Sequence, residues 1–210
     1  MKAYLILLSA LLFSIKILAA AAIAPSPEQV SPLLNGLSIP DVTLTTPDNK
    51  AVSLMSLVQK KPSVLVFYRG GWCPYCNAQL ASLREIEPRL AQLGYQLIAI
   101  TPDSVTSINK SLSDTGGQKL NYTLLSDHTF SASSAFGLAY YLDDKTAMAY
   151  KGKLGSLITT EAGTEKVVLP VPAVYIANTQ GDAVFNYVHI NYKTRLNSEL
   201  LLKAAELALQ

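Results

Sequence analysis

Five consecutive apolar or aromatic positions, Val64, Leu65, Val66, Phe67 and Tyr68, show no alternation with polar residues. Such a run predicts a strand buried on both faces. From Cys76 onward the period changes: Leu80, Leu83, Ile86, Leu90 and Leu93 recur at three- and four-residue steps, one apolar face of a helix that Pro88 should kink and Gly94 close. The run 96–101 (QLIAIT) reads as the next buried strand, parallel to the first if the helix between them is a crossover. Further strands are expected at 122–126, at 174–177 and at 183–190, the last two joined by the turn Asn178-Thr179-Gln180-Gly181. Upstream, 41–46 alternates, Pro47-Asp48-Asn49 is turn chemistry, and 51–53 completes a hairpin followed by a helical turn at 54–58. Helices are expected at 105–113, at 131–136 with Asp127 as its cap and His128 on the surface, and at 198–209, where Leu201, Leu202, Ala205 and Leu209 share a face. The stretch 143–170 has no sustained period. It reads as a loop or flap over the cysteine-bearing junction, with a polar helical segment at 145–151 and a turn at 161–163.

At 210 residues the chain accommodates one domain with a full core and a leader. Lys2 gives a charged start, 4–18 is apolar apart from Ser9, Ser14 and Lys16, and Ala19 to Ala22 offers small-residue cleavage sites. We therefore expect a signal peptide over 1–22 with cleavage near 20–24, an N-terminal arm over 23–40, and a single domain over 41–210. An uncleaved membrane anchor is the competing reading; Lys16 shortens the apolar run against it. Export places the domain in an oxidising compartment, the periplasm if the source is bacterial. Seventeen basic residues face fifteen acidic ones, and Lys2 and Lys16 of the leader account for the difference. A mature charge near zero argues against nucleic acid as a partner.

The chain has two cysteines, and both lie in one motif, Cys73-Pro74-Tyr75-Cys76, where the buried strand turns into a helix. Pro74 suits the first helical position. Cys73 then falls near the N-cap and Cys76 in the first turn, where unpaired N–H groups and the helix dipole favour a thiolate. The two sulfurs should be exposed there and close enough to form a small, reducible disulfide. An inert staple closing so short a loop would add little stability. A structural zinc needs four ligands, and His128 and His189 lack the spacing. Reversible thiol–disulfide chemistry, needing no metal and no organic cofactor, is the reading the pair supports.

The order strand, C-x-x-C, helix, strand, helix, then proline before a strand hairpin and a last helix resembles the thioredoxin fold. The longer frame resembles its peroxiredoxin-like branch that carries a C-x-x-C, the AhpC/TSA or redoxin family. FYRGGWCPYC (67–76), AITPD (99–103), LLSD (124–127), FGL (136–138) and LPVPAVYIANTQG (169–181) carry the likeness, which runs from about Ile39 to Leu209. It implies an α/β, thioredoxin-like fold: a central mixed β-sheet flanked by helices, with an N-terminal β-hairpin extension.

The resemblance also implies roles. Peroxiredoxins show Pro-x-x-x-Thr-x-x-Cys, whose cysteine attacks peroxide. On this chain that cysteine is Cys76, while Cys73 stands at the threonine position, Arg69 at the proline position, and Pro172 where the family keeps its arginine. In the thioredoxin register Cys73 attacks and Cys76 resolves. Pro172, preceded by Val171, then falls where that fold has a cis-proline whose backbone holds extended substrates. Phe67 occupies the place of that fold's buried acid. Trp72 and Tyr75 shape the substrate-binding surface beside the sulfurs, Arg69 supplies positive charge, and Pro74 with Tyr75 tunes the potential.

The leading expectation is a thiol–disulfide oxidoreductase cycling Cys73–Cys76 between dithiol and disulfide, with roles in redox homeostasis and antioxidant defence. The alternative is a thiol-dependent peroxidase with Cys76 peroxidatic and Cys73 resolving. A non-catalytic binding module with a locked disulfide is the third. Partners are protein or small-molecule thiols and disulfides, or hydroperoxides, with an external thiol as electron donor.

Overall fold

In the computed structural model, which describes residues 22–114, 120–150, 154, 157–161 and 163–208, the central strand is β3 (Ser63–Phe67), and all five of its residues are buried. Alternate side chains of a strand face opposite sides of its sheet, so β3 feeds two cores. Leu65 and Phe67 join a cluster with Ile98, Ile100, Leu125, Phe136 and Tyr175. Val64 and Val66 join another with Leu83, Ile86, Leu90, Leu201 and Leu202. That two-sided burial is why the run carries no polar alternation.

Around β3 lies a seven-stranded mixed sheet. Its strands are β1 (Thr43–Thr45), β2 (Ala51–Ser53), β3, β4 (Gln96–Thr101), β5 (Thr123–Ser126), β9 (Ala173–Ala177) and β10 (Ala183–Val188), in the spatial order β10-β9-β3-β4-β5-β1-β2. β3, β4 and β5 are mutually parallel, as crossover helices require. β9 pairs antiparallel to β3 with Val66 opposite Val174, and β10 returns against β9 as a hairpin. The hairpin β1–β2 extends the far edge.

Helix α1 (Leu54–Val58) is capped by the Ser53 side chain. Helix α2 (Pro74–Gln92) runs unbroken through Pro88, with Leu80, Leu83, Ile86 and Leu90 buried. Gly94, at φ +89°, turns the chain out of it. Helix α3 (Val105–Asp114) follows β4 and α4 (Ser131–Ala135) follows β5. Helix α6 (Ser198–Leu207) is capped by Asn197 and packs its buried face on α2. Asp127 is the expected cap: its carboxylate accepts from the N–H groups of Ala132 and Ser133 and from the hydroxyls of Ser131 and Ser133. His128 is exposed.

The stretch 143–170 is more ordered than a loop. It contains α5 (Asp144–Tyr150) and the hairpin β7 (Ile158–Glu161) and β8 (Thr164–Pro170). β8 also pairs with β6 (Ala139–Tyr141), giving a second sheet in the order β6-β8-β7. The apolar run Val167-Val168-Leu169 is buried with Tyr140, Leu154 and Val171. Its strand signal is short and one-sided, and long-range pairing with β6 decides it.

The arm 23–40 lies along this body: Ala24 bridges Tyr140, Ser38 bridges Asp182, and Ile39 enters the main core. The expected leader lies outside the described residues, apart from Ala22. Among the described residues, no helix is long and apolar enough to cross a membrane.

Candidate active site

The chain leaves β3 through Tyr68, whose N–H still pairs with the Ile100 carbonyl, and then turns at Arg69-Gly70-Gly71. Gly70 has φ +137°, and a Cβ there would collide with the Trp72 indole and with Asp103 Oδ1. The Gly71 peptide is clamped on both sides. Its N–H donates to Asp103 Oδ2 at 2.7 Å, and its carbonyl accepts from the Asn77 side chain at 2.9 Å. This clamp delivers Cys73 to the N-cap of α2, with its N–H on the Gly70 carbonyl at 3.1 Å and Pro74 opening the helix. Cys76 sits in the first turn. The expected strand-to-helix placement is what the structure has.

Both cysteines are free thiols, and they are not exposed: Cys73 is 1 % and Cys76 0 % accessible. This corrects the expectation of sulfurs open to solvent. A helix N-terminus fixes where the sulfurs sit but not what lies over them. They pack with Tyr68, Leu80, Ile108 and Leu124, and Trp72 packs against the same cluster. Tyr75, 40 % exposed, meets the Tyr192 ring edge-on at 5.8 Å. Trp72 packs against Tyr150 of α5 at 5.8 Å, so the segment read as a flap does reach the cysteine loop.

Two guanidinium groups converge on the pair. Arg69 is 2 % exposed, lies 4.2 Å over the Tyr192 ring and 5.2 Å from Trp72, and hydrogen-bonds Tyr140. Arg195, in the loop before α6, donates Nη2–H to Cys76 Sγ at 3.2 Å. Among the described residues neither arginine has a carboxylate partner. Arg69 Nε, Trp72 Nε1 and Arg195 Nε are buried donors without an acceptor.

The Cys73 thiol is lowered to about 6. The largest cause is the hydrogen bond it accepts from the Cys76 thiol, followed, against burial, by the Cys76 backbone N–H and the two arginines. Cys76 is pushed up: it keeps the proton it donates to Cys73, and its deeper burial resists charging. In the resting dithiol the negative charge therefore resides on Cys73. Burial also raises the Asp103 carboxyl and, far more, the Tyr68 hydroxyl. Both line a cleft of about 370 Å³ between α2 and α3, together with Gly71, Asn77, Ser111 and Tyr122.

Of the residues singled out from sequence, Arg69, Trp72, Cys73, Pro74, Tyr75 and Cys76 are contiguous and form the cysteine loop. Val171 is buried in the cluster that Trp72 borders. Pro172 is buried between β8 and β9, and no cis peptide bond occurs among the described residues, so the cis isomer implied by the thioredoxin register is corrected to trans. Sequence reading did not find Arg195, Tyr192, Asp103 or Asn77 as site residues. Arg195 lies 119 residues from Cys76, and a single arginine ahead of a helix cap carries no local signal.

The model of the AhpC/TSA family matches residues 36–182. The chain belongs to the AhpC/TSA family. Among curated proteins it is 31 % identical over 109 residues to the "Putative peroxiredoxin bcp" of Haemophilus influenzae, covering 52 % of this chain and 68 % of that one. Its fold matches reduced Prx3 from Vibrio vulnificus with a TM-score of 0.64 and 17 % identity, covering 83 % of this chain and 99 % of the other. It also matches peroxiredoxin Q from Xanthomonas campestris with a TM-score of 0.62 and 16 % identity, covering 84 % and 99 %. As an AhpC/TSA protein the chain is a thiol-based oxidoreductase with a thioredoxin-like fold. In this chain a guanidinium reaches the Cys76 sulfur from Arg195.

Proposed function

We propose that this protein is a peroxiredoxin-type thiol peroxidase, with Cys76 attacking hydroperoxide and Cys73 resolving. Reducing a hydroperoxide requires a thiolate beside donors that stabilise charge developing on the departing oxygen. The observation that carries the reading is the Arg195 guanidinium on the Cys76 sulfur, at the position of the family's peroxide-attacking cysteine. The family membership and the peroxiredoxin named among its relatives support it.

The proton shared by the two sulfurs passes from Cys76 to Cys73, and the Cys76 thiolate attacks the peroxide. The O–O bond breaks, the departing oxygen takes the proton from Cys73 and leaves as alcohol or water, and Cys76 holds sulfenic acid with Cys73 again a thiolate. Cys73, ionised near neutral pH, attacks that sulfur. The S–O bond breaks, hydroxide leaves and takes a proton from solvent, and a Cys73–Cys76 disulfide remains for an external thiol to reduce. The test is peroxide consumption by Cys73→Ser and Cys76→Ser proteins supplied with an external thiol. Consumption that persists in Cys73→Ser and vanishes in Cys76→Ser supports the assignment; the opposite pattern overturns it.

A second reading, disulfide exchange with Cys73 attacking, is favoured by the charge on Cys73 at the helix N-cap. It predicts insulin reduction by the wild type that Cys73→Ser abolishes. The leader reading supports export to an oxidising compartment, the periplasm in a bacterium. Fusing 1–24 to a reporter and finding it retained in the cytoplasm would refute that placement.

A further inference from the structure

We propose that Arg195 and Arg69 make Cys73–Cys76 an oxidising couple, whose disulfide is reduced by small carboxylate-bearing monothiols and not only by strongly reducing dithiol proteins. This rests on the peroxidase reading for the origin of the disulfide, but not for its energetics.

Electrostatics carries the first half. One guanidinium donates directly to the Cys76 sulfur at 3.2 Å. A second is held against Tyr192 by a 4.2 Å cation–π contact, and the cysteines lie at the N-terminal, positive end of the 19-residue helix α2. No carboxylate pairs with either arginine among the described residues. Asp103, which holds the cysteine loop from the end of β4, is committed to the Gly71 N–H and biased toward its neutral form by burial. In the dithiol state a thiolate meets this positive field. In the disulfide state the sulfurs are neutral and weak acceptors, so the guanidinium groups lose their counter-charge. The field thus favours the reduced form, which makes the couple a better oxidant.

Access carries the second half. The sulfurs, at 1 % and 0 % exposure and packed in a cluster with Tyr68, Leu80 and Trp72, present little surface to a protein loop. A small thiol needs a smaller opening, and a carboxylate on it would meet the unpaired arginines. The chemistry balances: a donor thiolate attacks the disulfide, the S–S bond breaks and one protein thiolate leaves. A second donor thiolate then releases the mixed disulfide as donor disulfide, and two electrons and the accompanying protons stay on the cysteine pair.

The experiment equilibrates the full chain in reduced and oxidised glutathione without peroxide and reads the reduced fraction by alkylation. The wild type should be half-reduced within the range glutathione can buffer. Arg195→Met should shift the equilibrium at least tenfold toward disulfide, which is about 30 mV. Arg69→Met should shift it in the same direction, Arg195→Lys should recover most of the effect, and Lys193→Met, an exposed neighbouring charge, should leave it unchanged. A wild-type pair still fully oxidised at the most reducing glutathione ratio overturns the proposal, even if an arginine variant fails to fold; so do Met variants identical to wild type. In a second arm, the disulfide should be reduced several-fold faster by glutathione than by cysteamine, a cationic monothiol, at equal thiolate concentration. Equal rates would refute the carboxylate preference. Because peroxide is absent, failure here leaves the peroxidase reading standing, and loss of peroxidase activity leaves these equilibria unaffected.

Discussion

Helix α2 is tied to the α6 region at both ends, and the two ties differ in kind. At its C-terminal end Arg89 meets Glu199 with both carboxylate oxygens, 2.8 and 3.0 Å from Nη1, in full view of solvent. At its N-terminal end Arg195 meets a sulfur, with no carboxylate in reach among the described residues. The first pair is complete in itself and screened by water. The second becomes complete only while a sulfur carries charge. Structural arginines bring their counter-ion with them; here the counter-ion is the reacting group.

This contrast orders the expected effects. Cys76→Ser should reduce peroxide consumption to background, while Cys73→Ser retains it with an external thiol; loss in both or neither would break the division of roles. Arg195→Met should lower the second-order rate with hydroperoxide by roughly 10²–10³-fold, the usual effect of removing one preorganised donor. Stopped-flow measurement would show whether Arg195→Lys restores part of it. Asp103→Ala, which removes the acceptor of the Gly71 N–H, should cost about 1–3 kcal/mol in denaturant unfolding. Asp103→Asn keeps an acceptor and should cost less. At the far end, Arg89→Ala should change stability by about 0.2–1 kcal/mol and leave peroxide kinetics untouched; a change in those kinetics would erase the distinction between the two ends.

pH sharpens the same comparison. Cys73 is lowered to about 6, so it is ionised above that pH and protonated below. Alkylation of Cys73, normalised for its burial, should rise through a midpoint near 6, whereas an unperturbed cysteine rises near 8.5. In Cys76→Ala the midpoint should move up, because the thiol that donates to Cys73 is gone.

Much of this arrangement was legible in the residues. The uninterrupted run before the cysteines gave β3, the three-and-four spacing after them gave α2, and Pro74 placed both sulfurs at the helix start. Asp127 was legible as a cap because its partners follow within six residues. What escaped is long-range. β8 is a strand through its pairing with β7 and with the distant β6, and without those partners the sequence of 143–170 has no sustained period. Tyr192, which stacks on Arg69, and the donor Arg195 arrive from the loop between β10 and α6, and nothing local marks either. Solvent exposure was misjudged for the same reason, since a motif fixes its own backbone but not the side chains that other elements lay across it.

The most direct measurement is mass spectrometry of the Cys73→Ser protein after one equivalent of hydrogen peroxide. The account predicts a single added oxygen on Cys76, trapped by a sulfenic-acid reagent, with Arg195→Met slowing its appearance. An unmodified Cys76, or the same label on Cys73 in the Cys76→Ser protein instead, would contradict it.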